Sequence, residues 1–172
     1  MEGSDVLLAI CQVSIAFAGF TSIVGVVGQR RGSRWDEEAS VRLWLMIESS
    51  LACLLFSLLP FVLFHLGFEI GTVWGASSAV MAVFLVVHMA IIAPSLHRID
   101  RNVGWSTRSF EPLIAVIILS ALTVQSLNAL GIGFQRTFGA YLLGLILFLG
   151  LASMHFATLL VAVNASDARG DD

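Results

Sequence analysis

LWLMIESSLACLLFSLLPFVLFHL, residues 43–66, is the stretch that decides the fold. Its only charged side chain is Glu48. Roughly 20 apolar residues in a helix cross the ~30 Å hydrocarbon layer of a bilayer. Lipid offers no partner to a bare N–H or C=O, so backbone lying in it must close its hydrogen bonds internally, as helix.

Four further runs of the same kind lie outward from this one, giving spans over 6–28, 43–66, 71–93, 112–134 and 138–163. The expected fold is therefore an all-α integral membrane protein, one domain over residues 1–172 built as a bundle of five transmembrane helices. Composition points the same way: 58% of the 172 residues are hydrophobic and 12% charged, with a mean hydropathy of +0.92. A soluble domain has about 25% charged residues. Outside the tails and two arginine-rich loops, the charges are only Glu48, Glu69 and Arg136.

The connections fit these spans. Residues 29–42 and 94–111 are polar, 67–70 is a tight turn, and 134–137 is a short link flanked by Gly131, Gly133 and Gly139, suited to a helical hairpin. Ser33, three residues ahead of Asp36, reads as a cap that starts the second helix before the membrane. Pro94 is expected to end the third span, Ser109 and Pro112 to cap and open the fourth, and Pro60 to kink the second. All nine basic residues are arginine. Arg30, Arg31, Arg34, Arg42, Arg98, Arg101, Arg108 and Arg169 fall on one side of the spans and only Arg136 on the other, which puts the N-terminus outside and the C-terminus in the cytoplasm, as in a bacterial inner membrane. Trp35, Trp44 and Trp105 read as inner-interface anchors, and Trp74 and Tyr141 as outer ones. His65 is placed at the outer interface. Ala16-Phe17-Ala18 resembles a signal-peptidase site, but the leader is acidic rather than basic and the apolar run continues past it.

Within lipid, helices associate where small residues let backbones approach. Ser14, Ala18, Ser22 and Gly25 form such a stripe on the first span, Gly71, Gly75 and Ala79 on the third, and Ala140 with Gly144 on the fifth. These faces join helices within one protomer, or in a homo-oligomer. Cys11 and Cys53 both sit in apolar runs and read as small packing residues.

Ionisable groups inside a span are costly and mark candidate function. Glu48, His88 and His155 lie at similar depth near the inner ends of their helices. A carboxylate with imidazoles suits a proton relay or a cation site. The competing reading has Glu48 paired with Arg42 or reaching the interface, and each histidine bonded to a neighbouring helix. A second polar layer, Gln12, Gln125 and Asn128, is expected nearer the outside, where amides line a path or cross-link helices.

Other chemistries have no support in the residues. A net charge of −3 without a basic tract speaks against nucleic acid. Neither nucleotide-binding loops nor a metalloprotease, hydrolase or haem motif is present, so no enzyme activity and no cofactor is expected. The expectation is a small oligomeric ion or proton channel or transporter-like protein, in contact with membrane lipids. The alternative is a non-catalytic membrane subunit or scaffold that docks a cytoplasmic or membrane protein partner.

Overall fold

The computed structural model describes residues 3–30, 37–100 and 111–167. The described residues form five helices and no strand: α1 Ser4–Arg30, α2 Glu37–His65, α3 Ile70–Asp100, α4 Glu111–Leu130 and α5 Phe138–Asp167. Each is long and apolar enough to cross a membrane. Their outward faces carry large apolar side chains such as Leu55, Ile91 and Leu119, each more than 60% exposed. That surface suits hydrocarbon and not water.

Helices α2 to α5 make an up-and-down four-helix ring. Each packs on the next in sequence, and α5 closes the ring against α2. Helix α1 lies outside the ring, principally on α2. Both short connections, 66–69 and 131–137, are at the same end, here called the turn end, and Gly3 at the start of α1 sits there against the Phe138 ring.

Glycines close the helices at that end. In α2, Gly67 (φ 89°) donates to the Phe64 carbonyl and Phe68 to that of Leu63. In α4, Gly131 (φ 74°) donates to Asn128 and Ile132 to Leu127. Both are Schellman caps, which need a left-handed residue after the last helical one. This corrects the expected fourth span, which runs to residue 134 by hydropathy alone. The apolar residues Ile132 and Phe134 lie beyond the cap, in a turn where Gly133, Gln135 and Arg136 also have positive φ.

Proline acts differently from expectation at one of its three sites. Helix α3 continues through Pro94 to Asp100; a proline withdraws a single backbone donor, and one lost bond near a helix end does not terminate it. Pro112 does occupy the first turn of α4. Pro60 is inside α2 and takes the amide donor away from the Phe56 carbonyl four residues back. The Tyr141 hydroxyl of α5 supplies the replacement, donating to that oxygen at 2.5 Å. Helix α2 begins at Glu37, ahead of the apolar run as anticipated. The caps Ser33 and Ser109, Trp35, Trp105 and the arginines at 31, 34, 101, 108 and 169 lie outside the described residues.

Two aromatic residues expected at the outer interface belong to the core. Trp74 and Tyr141 are near the turn end but point into the bundle, 3% and 0% exposed, and their rings pack on each other at 5.8 Å. The tyrosine is drawn inward by the bond to Phe56. Trp44 is exposed, and so is His65, whose Nδ1 donates to the Phe61 carbonyl at 2.7 Å.

Small residues are used unevenly. On α1, Ser14 is buried, Ala18 half-buried and Gly25 faces Leu43, while Ser22 is exposed. Gly75 of α3 is buried beneath the Arg136 stem: a Cβ there would lie 2.8 Å from Arg136 Cδ, so this glycine accommodates the turn rather than a helix. Gly71 has open space around it and Ala79 is exposed. Ala140 and Gly144 of α5 are both buried. In α2, Ser49, Ser50 and Ser57 donate to the carbonyls four residues back. Bonded within their own helix, they need no partner and act as small packing residues.

Candidate functional site

At the end opposite the turns, α2 and α3 bring Glu48 and His88 together. His88 Nδ1 is 2.8 Å from Glu48 Oε1, and the histidine side chain is 5% and the glutamate 23% exposed. The pair shares a proton along this contact, carried by imidazole or carboxyl. His155 of α5 is buried, 5% exposed, and within electrostatic reach of both His88 and Arg42. Its Nδ1 has no hydrogen-bond partner, nor has Glu48 Oε2. A buried polar atom without a partner is uncommon and calls for a reason such as water, an ion or a functional role. Beside it, the Thr158 hydroxyl donates to the His155 carbonyl.

The three residues of the expected inner layer thus share one level of the bundle. Glu48 and His88 are in direct contact, with His155 as their neighbour. Among the described residues no three His, Cys, Asp or Glu side chains converge as a metal site would need. Cys11 and Cys53 are both free thiols, and Cys53 Sγ points at the Leu145 carbonyl, 3.7 Å away.

The outer layer divides. Gln12 is exposed on α1, the helix outside the ring, so agreement in depth does not bring it to α4. Gln125 and Asn128 are fully buried. Asn128 Nδ2 donates to Ser78 Oγ at 2.8 Å and to the Thr137 carbonyl at 3.2 Å, and its Oδ1 accepts from the Thr137 amide at 2.9 Å. Gln125 Nε2 donates to the Ala140 carbonyl at 2.9 Å, while its Oε1 and the hydroxyl of Ser77 have no partner. Gly144 leaves room for that amide: a Cβ there would lie 2.7 Å from Gln125 Cδ and 2.9 Å from Met81 Sδ. Three helices are tied together by these amides.

Sequence reasoning missed what separates the two layers. Phe56 of α2, Phe84 of α3 and Phe148 of α5 form a triangle with ring centroids 5.5, 5.8 and 6.0 Å apart. Phe84 also stacks on His88, with centroids at 5.7 Å and ring planes at 27°. The one available signal was the spacing of four from Phe84 to His88, which places both rings on one face of a helix.

Comparison with protein-family models, curated proteins and solved structures found no match.

Proposed function

We propose that the chain is an integral protein of a bacterial inner membrane, N-terminus outside and C-terminus cytoplasmic, and that it handles protons as a small channel or transporter-like bundle. The single observation that carries this reading is the part-buried Glu48–His88 contact at 2.8 Å. An acid and an imidazole in one hydrogen bond exchange a proton near neutral pH, and holding such groups in a membrane span is costly enough to require a use. His155 lies close by with an unpartnered ring nitrogen. The aromatic triangle gives the site a barrier toward the turn end, of the dry kind found at hydrophobic constrictions.

The test is proton uptake by liposomes holding the purified protein under an imposed gradient. Wild type should acidify the lumen and Glu48→Gln, which keeps the shape but not the exchangeable acid, should not. Liposomes no leakier with wild type than without protein would refute it.

A second reading rests on a different observation. Gly71, Ala79 and Ser22 are small and face outward or into open space. Faces of this kind admit another helix, so a homo-oligomer or a scaffold for a membrane partner is the alternative. Crosslinking through cysteine placed at Ala79 would trap a dimer if this face pairs with a second copy, and a purely monomeric product would remove that form of it.

A further inference from the structure

We infer that Phe84 is the positioning residue of a proton-driven gate: it leaves the Phe56–Phe84–Phe148 triangle when both Glu48 and His88 carry protons and His88 is left an uncompensated cation, admitting water between the two polar layers. The inference rests on the proton-handling reading above and deepens it, by specifying how the site is coupled to the barrier.

Phe84 belongs to two aromatic groupings at once. Its ring is 5.5 Å from Phe56 and 6.0 Å from Phe148, and it is also 5.7 Å from His88 in near-parallel stacking. Phe56 meets Phe84 edge on, with planes at 72°, whereas the His88 stack is at 27°. A neutral imidazole stacked on phenylalanine is an ordinary aromatic contact. A desolvated imidazolium over the same ring adds cation–π attraction, comparable to or larger than each aromatic contact holding Phe84 in the triangle. A proton on His88 therefore changes which neighbours the ring prefers.

The groups facing His88 decide what that proton does. Helix α2 presents Glu48 in contact and Arg42 further along; α5 presents His155; and α4 has no ionisable side chain between Pro112 and Leu130. On α3 itself His97, Arg98 and Asp100 follow nine or more residues later. With Glu48 ionised, a cationic His88 makes a neutral pair. A second proton, taken by Glu48, leaves an uncompensated cation directly under the triangle, and such a charge draws in water or an aromatic face. Both responses loosen the layer.

The native Cys53 reports on this. It is fully buried, one helical turn from Phe56, and in Cys11→Ser protein it is the only thiol. Labelling by a small cationic thiosulfonate in detergent should rise several-fold as the medium is acidified from about pH 8 to about pH 4. The intrinsic trend is opposite, because acid removes the reactive thiolate. His88→Gln should abolish the rise, and Phe84→Leu should label fast at both pH values while helical content stays unchanged. Equal protection of Cys53 at both pH values, or a rise that survives His88→Gln, would overturn the gate even if liposomes conduct protons. Labelling that follows His88 in a protein that conducts none would sustain the gate and reject transport.

Discussion

The Tyr141 hydroxyl in α5 fills the place of the amide that Pro60 withholds from the Phe56 carbonyl in α2, at 2.5 Å. A proline inside a helix leaves the carbonyl four residues back without its amide donor, and the fold meets that demand from a neighbouring helix.

Tyr141→Phe should destabilise the protein by about 1 kcal/mol, in the range of interhelical hydrogen bonds in membranes. The cost should shrink in Pro60→Ala, where residue 60 regains an N–H for Phe56. Unfolding of the four proteins of this cycle in mixed micelles measures the coupling. Equal costs of Tyr141→Phe in both backgrounds would show that the hydroxyl does not compensate for the proline.

Gly144→Ala forces a methyl group against the Gln125 amide and Met81 sulfur, and should cost about 1 to 3 kcal/mol as overpacking does. Gly19→Ala and Gly150→Ala, with nothing near the added carbon, should be neutral or stabilising. Thermal unfolding of the three variants should rank them in that order; a harmless Gly144→Ala would mean that Gln125 swings aside freely.

Asn128→Leu removes three hydrogen bonds and leaves the Thr137 amide without its acceptor, so a loss of about 2 to 3 kcal/mol is expected. Ser78→Ala removes only one and should cost about 0.6 kcal/mol. Protease cutting within 131–137 should accelerate in Asn128→Leu alone. Comparable stability losses in the two variants would contradict the assignment of Asn128 as the hub.

His88→Leu strands the Glu48 carboxyl, and losing one member of a buried pair costs up to about 3 to 5 kcal/mol, less here because Glu48 is 23% exposed. Changing both to leucine removes the stranded group. The double variant should therefore be more stable than His88→Leu alone, and a double variant that is worse would show that the pair stabilises the bundle outright.

The five helices could be read from residues because hydrocarbon imposes one rule on every span, and length and apolarity suffice to apply it. Depth was legible too: Glu48, His88 and His155 each lie 17 or 18 residues from a helix end on the turn side, so they share a level. Lateral position was not. Gln12 has the right depth but sits on the helix outside the ring, and nothing in a single apolar run says which neighbour it faces. The fourth span was overextended because Ile132 and Phe134 score as membrane residues, although the glycine after Leu130 ends the helix. Trp74 and Tyr141 have the composition of interfacial anchors, and only a partner on another helix, Phe56, turns the tyrosine inward.

The Asn128 clasp and the Gln125 bond to Ala140 both lie within the α4–α5 hairpin. During synthesis, a helix bearing two amides would enter the bilayer with those groups unpaired if it left the insertion machinery alone. Coupled release with α5 would pair the Gln125 Nε2 with Ala140 and Asn128 with Thr137 before the hairpin meets α2 and α3. Lengthening the short 131–137 connection with a flexible insert should therefore delay membrane integration of α4 more than that of any other helix.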